Sequence, residues 1–112
     1  MSGDEGAGGR DPVVGVDETI HARVRLGVMT ILVAEGPRDF VTLRQSLRVS
    51  DGNLATHLRV LEDAGYCVVR KEFVGRRPRT TYAATPKGRT ALAEYARAMQ
   101  RLLAGLTPEG DP

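Results

Sequence analysis

Val49-Ser50-Asp51-Gly52-Asn53-Leu54-Ala55-Thr56-His57-Leu58-Arg59-Val60-Leu61-Glu62-Asp63-Ala64-Gly65-Tyr66 is the stretch on which the reading of this chain turns. Ser50 is a residue type that accepts a hydrogen bond from the open N–H groups of a helix start, and Val49 before it can staple against Leu54 one turn on. Gly65, directly after Ala64, supplies the stop. Between them Leu54, Leu58 and Leu61 recur at helical spacing and form one apolar stripe. Gly52, Asn53, Thr56, Arg59, Val60 and Asp63 then point the opposite way. That outer face is polar, short-chained and almost uncharged, which suits a surface that reads another molecule.

Working back toward the N-terminus, Arg48-Val49-Ser50 reads as a tight turn, and Phe40 to Leu47 before it as a short helix capped by Asp39. An earlier helix is expected from Glu18 to Ala34, a run free of proline that ends at Glu35-Gly36-Pro37. It projects two opposed apolar stripes, Ile20/Val24/Val28/Ile31 and Ala22/Leu26/Met29/Val33, and so calls for two packing partners. One is the domain's own core; the other is a further element of the chain or a second subunit.

Working forward, the periodicity drops to two. Tyr66 to Val74 and Arg79 to Ala84 read as strands, joined by a tip at Val74-Gly75-Arg76-Arg77-Pro78 in which glycine makes the turn and proline ends the pairing. Thr85 and Pro86 then open a last helix as cap and first residue. It runs to about Leu103, with Leu92, Tyr95, Met99, Leu102 and Leu106 along one side, a stripe long enough to seek a partner helix.

Helix, helix, turn, helix, hairpin, helix with a basic hairpin tip is the winged helix arrangement, so the expected fold class is α+β and mainly α: a three-helix core, a two- to three-stranded wing and a C-terminal dimerisation helix. The domain is expected over 17–104, including the last helix at 85–104, with a disordered arm at 1–16 and a flexible tail at 105–112. A recognition helix reads base edges in the major groove, about 12 Å wide, from its N-terminal half. Ser50, Asn53, Thr56, His57 and Arg59 are the candidates there. Asn53 pairs with an adenine edge, the Thr56 methyl meets a thymine methyl, and Arg59 reaches guanine or phosphate. On the wing and its flank, Lys71, Arg76, Arg77, Arg79 and Thr80 are candidates for contacts to the backbone or the minor groove.

Charge agrees with this placement. The 112-residue chain carries a formal charge of only +2. Between Arg44 and Arg89, however, ten basic residues face four acidic ones, a local balance of +6, leaving −4 for the rest. Clustered cations neutralise phosphates and release their counterions. A charged hairpin tip also guards against edge-to-edge aggregation, but three arginines around one turn, beside a polar helix face, fit a DNA footprint better.

The Val49–Tyr66 stretch resembles the recognition helix of MarR-like and ArsR-like winged helix regulators. More narrowly, Lys71-Glu72-Phe73-Val74-Gly75-Arg76-Arg77-Pro78-Arg79-Thr80-Thr81-Tyr82 and Thr85-Pro86-Lys87-Gly88-Arg89 resemble the compact regulators in which the DNA-binding domain is nearly the whole protein. The resemblance covers roughly Asp17 to Leu103. It implies a homodimeric, sequence-specific transcriptional regulator, with dimer contacts from the first and last helices: Ile20, Val24 and Leu26 on one, Leu92, Tyr95, Met99 and Leu102 on the other. The chain departs from larger MarR-type proteins in lacking long flanking helices, and from metal-sensing ArsR-type ones in lacking their cysteine pair. It therefore names no effector.

Other classes fit less well. No Gly-x-Ser-x-Gly, His-Glu-x-x-His or phosphate loop is present, so no enzyme is expected. A winged helix serving only as a protein-interaction module is the main rival, and RNA is disfavoured by the scarcity of stacking aromatics. The single cysteine, Cys67, excludes an internal disulfide and lies near Arg70 and Lys71, which would lower a thiol pKa in a redox sensor; a small buried hydrophobe is the commoner fate. His21 has no second ligand one turn on, and no metal or cofactor is expected. Met29 and Met99 fit apolar stripes. With no apolar run near the roughly 18 residues of a membrane span and no signal peptide, a cytoplasmic protein is expected.

Overall fold

A computed structural model describes residues 15–106. Most of the arm expected at 1–16 and the tail expected at 105–112 lies outside the described residues. The elements follow in the order α1 (Arg23–Glu35), β1 (Arg38–Asp39), α2 (Phe40–Leu47), α3 (Asp51–Asp63), β2 (Cys67–Val74), β3 (Arg77–Ala84) and α4 (Pro86–Ala104). This is the expected winged helix, mainly helical, with a three-stranded antiparallel sheet in the order β1-β3-β2.

Local chemistry sets most of the boundaries. The Asp39 carboxylate accepts from the Thr42 N–H at 2.8 Å, Ser50 Oγ from the Asn53 N–H at 3.1 Å, and Thr85 Oγ1 from the Gly88 N–H at 2.9 Å. Each side chain satisfies a donor that a helix start leaves open. Between α2 and α3, Arg48 takes a left-handed conformation at φ 56 and lets its N–H return to the Arg44 carbonyl. That conformation costs a non-glycine residue roughly 1 kcal/mol.

Two expectations are corrected at α1. The helix begins at Arg23, five residues later than Glu18, behind an Ala22 that makes no side-chain cap. Residues 17–22 instead form a strap in which Asp17 Oδ1 accepts from the N–H groups of Thr19 and Ile20. The buried face of α1 is Val24, Val28, Met29 and Leu32, which takes residues from both expected stripes and adds Leu32. The fully buried face serves the main core, while Leu26 of the second stripe packs on the cluster of Ile20, Ala91 and Tyr95, so the second partner is found within the chain.

That core joins the α1 residues to Leu43 of α2, to Leu54, Leu58 and Leu61 of α3, and to Cys67 and Tyr82 of the sheet. A fully buried leucine contributes about 2 kcal/mol by leaving water, so the three α3 leucines fix which way that helix faces. A second cluster places Ile20, Ala91 and Tyr95 together, with Val16, Leu26, Leu92 and Met99 against it. It fastens the strap to α4.

The wing also differs from expectation. Val74 pairs with Arg77, so the tip is the two-residue loop Gly75-Arg76, and Pro78 lies inside the ladder opposite Phe73. Gly75 has φ 66 while Arg76 does not turn positive, the pattern of a type II′ hairpin. The pair that closes such a loop exchanges hydrogen bonds, so the next residue, Pro78, turns its nitrogen away from β2. β1 reaches only Thr81 and Tyr82, and no ladder donor is missed.

Candidate nucleic-acid interface

The candidate recognition surface is built on α3. Leu54, Leu58 and Leu61 are at most 1% exposed, whereas Asn53, Thr56 and Arg59 stand in solvent. The Thr56 hydroxyl donates to the Gly52 carbonyl at 3.0 Å. Its proton is thus spent within the helix and its methyl remains the outward group. Among the described residues the Arg59 guanidinium has neither hydrogen bond nor ion pair, and Val60 adds an apolar spot, 36% exposed, to the same face.

The acidic group that opens this helix is matched. Asp51, first in α3, is held by Arg44 of α2 through a 2.9 Å ion pair. Arg44 was counted only as part of the basic half in sequence, and nothing there signalled that it would bridge two helices. His57 is turned toward α1, where its Nδ1 lies 2.9 Å from Arg25 Nη1. Burial, and after it the Arg25 charge, hold its pKa below the ordinary value.

The wing does not gather all its candidate residues on one side. Paired residues share a face, so Lys71 and Thr80 lie with Phe73 and Pro78 on one surface, and Arg77 and Arg79 with Glu72 on the other. Arg76 sits in the tip. Lys71, Arg76 and Arg77 form no ion pair among the described residues, but Arg79 reaches Asp39 at 3.6 Å. Asp39 thereby caps α2, pairs with Thr81 in the sheet and holds a wing arginine. The Thr42 hydrogen bonds chiefly, and Arg79 least among the causes named, hold its carboxyl below the usual range. Between the start of α2 and the wing a half-open cleft of about 620 Å³ is lined by Phe40, Val41, Val74 and Pro78 and by both arginines.

The residues expected at a dimer contact divide in two. Ile20, Val24 and Tyr95 are buried within the single chain: Ile20 completely and Tyr95 with it because the strap packs on α4, and Val24 in the main core. Ile20 has no surface left for a second subunit. Leu26, Leu92, Met99 and Leu102 are half-buried, and beyond Ala98 no residue of α4 is buried. Leu103 and Leu106 are 54% and 73% exposed.

Cys67 is buried in the core, where lost hydration, and next the Glu62 charge, push its thiol pKa up to about 12. It stays protonated at neutral pH, contrary to what a redox sensor needs. Among the described residues no three His, Cys, Asp or Glu side chains gather as metal ligands, and no helix is long and apolar enough to cross a membrane.

Comparison with known proteins agrees with this geometry. Residues 24–103 match the family model described as a winged helix DNA-binding domain. A transcriptional regulator of Mycobacterium tuberculosis is 44% identical over 59 residues, which are 53% of this chain and 55% of that protein. A Methanocaldococcus jannaschii protein is 33% identical over 72 residues, 64% of this chain and 78% of its own length. The solved structure of a transcriptional regulator homologue from Pyrococcus horikoshii superimposes with a TM-score of 0.76 at 28% identity, covering 82% of this chain and 91% of that one. A PadR family regulator from Eggerthella lenta gives 0.62 at 26% identity, with 75% and 80% covered.

Proposed function

Because the chain belongs to the winged helix DNA-binding domain family, whose relatives here are transcriptional regulators rather than enzymes, we propose that it works as a homodimer that recognises a particular duplex sequence. In this reading α3 enters the major groove and the wing lies on the adjacent backbone or minor groove. One observation carries it above all: α3 buries three leucines and leaves Asn53, Thr56 and Arg59 exposed, the last without an ion pair among the described residues. Those groups match base edges, while Lys71, Arg76 and Arg77 of the wing, which form no ion pair among the described residues, suit phosphates.

The exposed end of α4 supports the dimer in this reading. The 19 residues of α4 span about 28 Å, and beyond Met99, which packs on the Ile20 and Tyr95 cluster, Leu102 is only half-buried and Leu103 is exposed. A second copy packed there, with Leu26 and Leu92 contributing, sets two α3 helices about one DNA turn, roughly 34 Å, apart on a palindromic site. Occupying a promoter in the cytoplasm then represses or activates transcription.

A binding titration against salt on a duplex recovered from a random-sequence pool tests this reading. Affinity falls steeply with ionic strength, and removing Arg76 or Arg77 lowers the slope by about one each while weakening all sequences alike. Asn53→Ala or Thr56→Ala changes the preferred sequence instead, by about 1–3 kcal/mol per base pair. Salt-independent behaviour, or no duplex recovered, leaves the protein-interaction reading in its place.

A further inference from the structure

The recognition helix is gripped from behind by a single side chain of α1. Arg25 donates from Nη1 to His57 Nδ1 at 2.9 Å, from Nε to the Thr19 carbonyl at 2.6 Å, and from Nη2 to the Glu18 carbonyl at 3.5 Å. The strap that offers those carbonyls is itself anchored. Asp17 Oδ2 accepts from the Tyr66 hydroxyl at 2.5 Å, Ile20 is wholly buried against Ala91 and Tyr95, and His21 Nδ1 lies 2.9 Å from the Tyr95 hydroxyl. An unbroken series of contacts thus runs from α3 through Arg25 and the strap to α4.

A guanidinium only donates, so His57 Nδ1 must be the bare nitrogen of a neutral ring that carries its proton on Nε2. A second proton would set donor against donor and a new positive charge beside Arg25. Among the described residues no carboxylate is hydrogen-bonded or ion-paired to this ring, and Arg25 is the charge that acts on it. On α3 the residues one turn away are Asn53, Leu54, Val60 and Leu61, and the strap presents carbonyl oxygens to Arg25, with Glu18 engaged through its backbone.

We propose that Arg25 is a positioning residue for DNA recognition, acting through neutral His57 to hold α3 at a fixed angle to the strap and α4; this rests on the DNA-binding reading above. Acidification undoes the hold, so duplex affinity falls as His57 takes up its second proton. A histidine that met a phosphate directly would behave in the opposite sense, because its positive charge strengthens binding. The sign of the pH dependence separates the two roles.

The test measures affinity of the full chain for the selected duplex between about pH 5 and pH 8 at constant ionic strength. Wild type should weaken by about tenfold on acidification, within the range that coupling between a switchable contact and a binding site commonly carries. His57→Gln keeps an acceptor oxygen for Arg25 without a titrating proton, and should bind well with a flattened profile. His57→Leu and Arg25→Met should bind weakly throughout, and His21→Gln should retain the wild-type slope. Nitrogen NMR of the free protein reads the contact without DNA: His57 should carry its proton on Nε2 and titrate below its ordinary value, rising in Arg25→Met. Tighter wild-type binding on acidification that His57→Gln abolishes, or a His57 protonated on Nδ1 at neutral pH, overturns the proposal. A chain that binds no duplex at any pH overturns the DNA reading itself, a different outcome from either of these.

Discussion

Two glycines one helix apart show how far a single hydrogen in place of a methyl can matter. A Cβ on Gly88 would collide with the Tyr66 carbonyl oxygen and come within 2.8 Å of Met29 Cε, because the first turn of α4 rests on the backbone that leaves α3. A Cβ on Gly52 would meet nothing within 4 Å. Gly88→Ala should therefore cost about 3 kcal/mol through overpacking against an immovable carbonyl. Gly52→Ala should stabilise the chain by about 0.5–1 kcal/mol, since it removes a flexible residue from a helix. Urea unfolding of both variants measures the contrast, and equal effects would mean that α4 does not pack as described.

Among the elements, the caps rank differently although their sequence signals look alike. Ser50 Oγ accepts one backbone N–H at the start of α3, whereas Thr85 Oγ1 accepts from Gly88 and also donates to the Gly65 carbonyl at 2.6 Å. Ser50→Ala should cost about 1 kcal/mol and Thr85→Ala about 2 kcal/mol, the second joining loss of a cap to loss of a tie between two segments. Denaturant midpoints read the difference directly. Elements with such local signals were legible: α2, α3 and the start of α4 agree with their caps and stripes, because the forces that place them act within one or two turns. The start of α1 was not. Ile20 stands four residues before Val24 and imitates a helical stripe, but what holds it is Tyr95, far along the chain. β1 was equally silent, since a two-residue strand carries no periodicity and exists only where β3 is present to pair with it. In the candidate interface, the outward residues of α3 could be read from their spacing. The partners that occupy His57 and Arg79 come from α1 and β1 and leave no trace in local pattern.

Taken whole, the molecule has titrating groups set to fail on opposite sides of neutrality. His57 is held below its ordinary 6.5, so it contributes stability above that pH and loses it as pH falls through the folded value. Asp39, lowered from 3.8, behaves in the same sense at more acid pH. Cys67 is raised from 9.0 and Tyr66 from 10.0, each to about 12, and Tyr82 is raised as well. For Tyr66 the Asp17 hydrogen bond is the main cause, and for the other two it is burial. Their contributions are complete below the unfolded values and vanish as pH rises through the folded ones. Melting temperature should thus form a plateau between about pH 6.5 and pH 9 and decline on both flanks, which a thermal scan across pH checks. A maximum on the acid flank would contradict the environment described for His57.

The smallest strand governs the order in which this architecture closes. Pairing Asp39 with Thr81 closes a loop of chain that contains α2, α3 and β2, and the entropy of joining its ends grows with the number of residues enclosed. The hairpin beside it has a two-residue loop and forms in about 1–10 μs. Assembly therefore zips the wing before fastening it. In the native state the same fastening opens most readily, so amide hydrogens at Arg38 and Tyr82 exchange with solvent ahead of those between β2 and β3.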